Sequence, residues 1–142
     1  NRREHIARIR ETTTAWTYNS ATWRRLNGSG NSFNYVDSVG DVGVSGSAML
    51  PWFATGTGTC GAHLGLHRDW TSGAPIVSGV GYESGSSTVA ATISTVLAEV
   101  GSVGRHSIDV VERAYNTTTA NFYGSGWNGS EQVQMTTIRV MI

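Results

Sequence analysis

Lysine is absent from the 142 residues, and ten arginines carry the formal positive charge against ten acids. A chain at formal neutrality lacks the basic surface that general nucleic-acid binding or adsorption to anionic membranes requires. Charged residues make up only 14% of the chain, well under the ~25% of ordinary domains, so solubility rests on hydroxyls and amides. A single cysteine, Cys60, excludes an internal disulfide. No apolar run approaches the ~18 residues of a membrane span, which excludes helical insertion, and no signal peptide is recognisable. The chain opens on Asn1 rather than Met, as a processed product or a fragment would.

What is abundant is glycine, at 18 residues against two prolines, with Ser and Thr filling much of the rest. That mixture suits either a flexible linker or a β domain with many turns. Five tryptophans, five tyrosines and three phenylalanines decide for the folded domain, because disordered tracts are poor in aromatics. The length suits one domain with a sizeable core. Residues 1–12, with their arginines, are expected to form an arm or connecting segment, alternatively a first strand over His5–Arg10. Residues 13–142 are expected to form a single β-sandwich.

The most legible stretch is Gly104–Ile142, read as three extended segments, Arg105–Tyr115, Thr119–Tyr123 and Gln132–Ile142. Ile108 and Val110 alternate with Ser107 and Asp109, and Ile138, Val140 and Ile142 alternate with Thr137 and Arg139. Such period-two alternation puts one row in a core and the other outside. The second row also carries Val111, Tyr115, Val133, Met135 and Met141, and these five are the candidate subunit-interface residues. Cys60–Trp70 sets Ala62, Leu64 and Leu66 against Gly61, His63, Gly65 and His67, a strand with an apolar inner row. Thr88–Val100 also shows helical spacing in Val89, Ile93, Val96, Leu97 and Val100, but its β-branched content favours a strand. Together the segments give about eight to ten short strands separated by turns, the pattern of an antiparallel sandwich or barrel.

Chemistry-bearing residues are few. His63, His67 and Asp69 suggest a metal site, yet two histidines four apart on a strand lie ~13 Å from one another. No metal and no cofactor are expected, although a histidine near a three-fold axis would meet its symmetry mates. Cys60 with His63 lacks the third, orienting group a thiol nucleophile uses. Asp37 and Asp41 flank a turn, where aspartates serve as Asx caps. Glu112 reads as an inward acid, with Arg113 or a neighbouring arginine as its partner. Three Asn-x-Ser/Thr triplets read as turns. Trp127 and Asn128, in a Gly/Ser/Asn loop, are the candidates for an exposed ligand loop.

Several segments together resemble the C1q/TNF-like jelly-roll superfamily, and more closely the small jelly-roll domains of bacteriophage fibres, spikes and capsid decoration proteins. They are Thr92–Leu97, the glycine turn Gly101–Gly104, His106–Val111, Thr118–Gly124 and Met135–Ile142, with Leu64–Asp69 upstream. The resemblance implies a homotrimer packed about a three-fold axis, with the terminal strand at the subunit contacts. The function it implies is that of a non-enzymatic virion structural protein at the particle surface. Its partners would be further copies of itself, other virion proteins and a host-surface glycan or protein. A lectin-like carbohydrate-binding sandwich is the alternative.

Overall fold

Val44, Ala48, Leu50 and Trp52 are buried, while Ser47 and Met49 between them face outward. This alternation, with β-formers on both sides of Pro51, makes residues 43–55 the longest strand of the protein, and the first sheet is built on it. The computed structural model describes residues 4–9, 11, 13–28, 32–38, 40, 43–55, 59–84, 90–100, 102–115, 119–124 and 135–141. Within them the strands are β1 (Glu4–Ile9), β2 (Ala15–Tyr18), β3 (Arg24–Arg25), β4 (Ser32–Asp37), β5 (Gly43–Thr55) and β6 (Thr59–Arg68). They continue with β7 (Val77–Ser84), β8 (Ala90–Val100), β9 (Gly104–Ala114), β10 (Thr119–Tyr123) and β11 (Met135–Met141). A 3-10 turn spans Leu26–Gly28.

All pairings among the described residues are antiparallel, and the strands form two sheets. In the first, β8 lies along one flank of β5, while β10 and β11 lie end to end along the other; β2 then flanks β10 and β1 flanks β11. In the second, β9 takes β6 on one flank and β4 and β3 on the other, with β7 outside β6. The architecture is the expected all-β, antiparallel jelly-roll sandwich. Thr88–Val100 resolves as a strand from Ala90. Its helical spacing arises because the strand shows apolar residues on both faces, with Leu97 buried and Val96 and Val100 outside.

Two expectations change. Glu4–Ile9 is no arm before the domain: it pairs residue by residue with β11, from Glu4↔Met141 to Ile9↔Thr136. Ala7 and Ile9 turn partly inward while Ile6 and Arg8 turn out, the pleat of the alternative first strand over His5–Arg10. The last three segments also do not form one sheet. β9 belongs to the second sheet, and β10 and β11 to the first. Between Phe122↔Trp52 and Met135↔Met49, β5 moves by three residues while the sequence from β10 to β11 advances thirteen. β10 and β11 therefore occupy two halves of one strand position beside β5.

The core lies between the sheets. Trp52, Leu50, Leu97 and Phe122 from the first meet Leu64, Leu66, Ile108 and Val110 from the second, with Leu26 closing one end. Trp16 stacks on Phe122 at 5.8 Å between centroids. Ala62, Leu64 and Leu66 form the fully buried inner row of β6, as their alternation indicates.

Candidate functional surface

The outer face of the first sheet is the candidate surface. Four of the seven exposed large hydrophobics among the described residues, Ile6, Met49, Val96 and Val100, lie on it. Val96 and Val100 are about two-thirds or more exposed, at 67% and 72%. Antiparallel partners share a face, and the register assembles these residues into neighbouring rows. Met135 stands opposite Met49, Met141 opposite Gly43, and Gly43 opposite Val100; Ile6 stands opposite Arg139, which pairs with Ser45. Among them is a shallow depression of about 300 Å³, lined by Ser45, Gly46, Ser47, Val96 and Thr137. Small side chains along the middle of β5 leave it open between the flanking strands.

Of the five interface candidates, register puts Met135 and Met141 in these rows. Val133 lies outside the described residues, as do the ligand-loop candidates Trp127 and Asn128. Val111 and Tyr115 are on β9 and just beyond it, in the other sheet, and so cannot join the same patch. Val111 has no exposed surface at all. It lies against Gly65, where the Pro75 ring also packs so closely that no side chain would fit. An odd-numbered apolar residue on β9 is thus covered by a loop of its own chain. Tyr115 is half-buried and stacks on His63.

The acids of β9 are structural ties. Glu112 is fully buried and accepts from the Trp16 indole at 2.8 and 3.1 Å, from Arg24 Nε at 2.9 Å and from the Asn27 amide at 3.1 Å. Arg24, rather than Arg113, is its ion-pair partner, at 2.7 Å. Burial pushes Glu112 up to about 7, with Trp16, Arg24 and Asn27 pulling the other way. Asp109, also fully buried, holds Arg25 Nε at 2.9 Å, the Trp70 amide at 3.1 Å and the Ser107 hydroxyl at 2.7 Å.

Asp69, His106 and Ser102 meet at one end of the second sheet, a juxtaposition with no signal in the sequence. His106 Nδ1 lies 2.6 Å from Asp69 Oδ2, and Ser102 Oγ lies 3.4 Å from Nε2. The order imitates a Ser-His-Asp triad, but Nε2 lies 2.6 Å from the Ser102 carbonyl oxygen. A carbonyl only accepts, so Nε2 carries the proton there and is not free to take one from the hydroxyl. With Asp69 as the leading cause and Ser102 second, His106 is raised above its ordinary value. Both ring nitrogens thus face oxygens at 2.6 Å, an arrangement that clamps the imidazole and does not activate the serine.

His67 Nδ1 is 2.6 Å from the Arg68 carbonyl. Asp37 accepts from the Gly40 amide at 2.6 Å, the Asx cap expected of it; Asp41 lies outside the described residues. Among the described residues no three His, Cys, Asp or Glu side chains converge as metal ligands. His63 is buried at the centre of an aromatic group on the outer face of the second sheet, edge-on to Trp23 and flat on Tyr115. Burial first, and then the adjacent Arg113, lower it to about 4.

No family model and no curated protein matches the chain. Among solved structures, the chain is similar to the Eiger TNF of S. frugiperda, with a TM-score of 0.57 at 8% identity over 98% of this chain and 92% of that one. It overlaps less well with a CocE/NonD family hydrolase from Staphylococcus aureus, at TM-score 0.43 and 9% identity over 99% of this chain and 33% of that one. For Bacillus endospore appendages that form disulfide-linked pili, the TM-score is 0.23 at 16% identity, over 86% of this chain and 88% of that one. The TNF likeness shows the fold alone, a jelly roll similar to that of a TNF.

Proposed function

We propose that this chain is a non-enzymatic structural module of a virion, a capsid decoration, head-spike or fibre-knob domain that assembles as a homotrimer. The outer face of the first sheet packs against further copies, and the second sheet faces the surroundings, where it serves attachment. The observation that carries this reading is the gathering of Ile6, Met49, Val96 and Val100 on one sheet face. Exposed apolar side chains scattered singly need no explanation, whereas a contiguous group marks an interaction surface. Arg8 also turns out on this face and Glu4 and Arg139 take the same rows by register, so a second copy answers these charges as well as covering the apolar groups. The jelly-roll fold supports the same reading, since the superfamily resemblance implies packing of this sheet about a three-fold axis.

Sedimentation velocity or light scattering tests it. A mass three times that of the 15.1 kDa chain is expected, and Met135→Arg is expected to lower it. A monomer at micromolar concentration, or a Met135→Arg variant of unchanged mass and stability, overturns the proposal.

A further inference from the structure

The outer face of the second sheet holds a cation for which the chain supplies no acid among the described residues. β3 and β9 bring three arginines close together with two acids between them. Arg24 is paired with Glu112 and Arg25 with Asp109, whereas Arg113 meets no carboxylate among the described residues. Its guanidinium lies 5.0 Å from the ring centroid of Trp23. Its Nη2 is 3.5 Å from His63 Nε2, and its shielded Nε has no acceptor among the described residues. His63 stands 5.8 Å from Trp23 at 77° and 6.3 Å from Tyr115 at 20°. Trp23, Arg113 and Tyr115 are each half-buried, so the group reaches the surface.

We propose that this cluster binds an acidic sugar, with Arg113 holding its carboxylate and the Trp23 and Tyr115 rings bordering the pyranose. A guanidinium presents paired N–H donors that match the two oxygens of a carboxylate, and the cation–π contact with Trp23 restricts where they point. Arg113 is therefore oriented before any ligand arrives, which lowers the entropy cost of binding. Aromatic rims suit a ligand with apolar C–H faces beside polar edges, as a sugar ring has. A nucleic-acid backbone fits less well, because it is bound by rows of cations and this chain is formally neutral. Neutral at pH 7, His63 contributes hydrogen bonding rather than a second charge. The cluster lies on the opposite sheet from the apolar face and stays accessible when that face is covered.

The inference extends the attachment part of the reading above, and the two fail separately: oligomeric mass tests assembly, and ligand-induced shifts test this site. The ¹⁵N-labelled protein is titrated with galacturonate, galactose and acetate while the Trp23 indole N–H resonance is followed. Galacturonate is expected to move it saturably, with galactose and acetate each binding roughly tenfold or more weakly, as the loss of a charge-assisted hydrogen bond implies. Arg113→Gln is expected to weaken galacturonate binding by a similar factor while spectra elsewhere stay native. Equal responses to galacturonate and galactose overturn the carboxylate role, and equal responses to galacturonate and acetate overturn the sugar. Absence of a saturable shift overturns the site, as does native affinity in a folded Arg113→Gln protein. If that variant does not fold, the three-ligand comparison on the unaltered chain decides by itself.

Discussion

The Trp16 indole donates across the sandwich to Glu112, reaching both carboxylate oxygens, at 2.8 Å and 3.1 Å. Trp16 comes from the first sheet and Glu112 from the second, so this is a polar bolt between two apolar layers. Its members support one another, since Arg24 and the Asn27 amide fill the remaining acceptor positions. Trp16→Phe keeps most of the ring packing against Phe122 and removes the donor. It should cost about 1–3 kcal/mol in chemical denaturation. Glu112→Ala strands Arg24 and the indole together and should cost more, about 3–5 kcal/mol. Equal losses in the two variants would show that the carboxylate is not the hub.

Two buried groups titrate in opposite senses. Glu112 is raised from 4.5 to about 7, so its contribution to stability is complete below pH 4.5 and lost as pH rises through about 7. His63 is lowered from 6.5 to about 4, so its contribution is present above pH 6.5 and lost as pH falls through about 4. Each amounts to on the order of 3 kcal/mol at full extent, and between pH 4.5 and 6.5 they largely cancel. Glu112→Gln should therefore lose stability on acidification more steeply than the parent, and His63→Gln should gain. Urea midpoints at pH 7, 6 and 5 provide the measurement. Parallel profiles for all three proteins would refute this assignment.

Local pattern carries far more information here than pairing does. The inner row of β6 is legible residue by residue, because alternation depends on neighbours along one strand. The two sides of β8 mislead only as far as a strand with apolar residues on both faces imitates helical spacing. Membership of a sheet is a non-local property, however, and nothing in Gly104–Ile142 states that β9 leaves its successors for the other layer. Alternation alone groups Val111 and Tyr115 with Met135 and Met141 for that reason. The polar ties are equally distant in sequence: Glu112 finds Trp16 96 residues away and Asp109 finds Arg25 84 away. Arg113, readable as a partner for Glu112, sits one residue further along β9 and hence on the opposite face.

The contact between Gly65 and Pro75 gives a test of the covered face. A Cβ at Gly65 would lie 2.7 Å from Pro75 Cβ and 3.1 Å from Val111 Cγ2, so even alanine must displace the 71–76 loop. Gly65→Ala should cost about 1–3 kcal/mol, the usual range for overpacking. Gly73, with φ of 81° and open space for 4 Å around the position a Cβ would take, is the contrasting site; there substitution is opposed by backbone strain alone, about 1 kcal/mol. Thermal melts of the two alanine variants should rank Gly65→Ala lower. The reverse order would mean that Pro75 moves aside freely and that Val111 is less securely covered than its burial indicates.

Exposed valines on the two sheets separate assembly from general surface effects. Val96 lies on the outer face of the first sheet beside the Ser45–Ser47 depression, while Val36, equally exposed at 67%, is on β4 in the second sheet. If the apolar face is the subunit interface, Val96→Arg places a charge where water is excluded. Burying it without a partner costs several kcal/mol, enough to dissociate an assembly held at micromolar affinity. Val36→Arg removes the same side chain from an equally exposed strand position and should leave the mass unchanged. Folding of both variants is checked by their melting transitions, since neither valine contributes to the core. Loss of assembly in Val36→Arg with retention in Val96→Arg would move the interface to the second sheet, onto the face where the Arg113 cluster is proposed to meet its ligand.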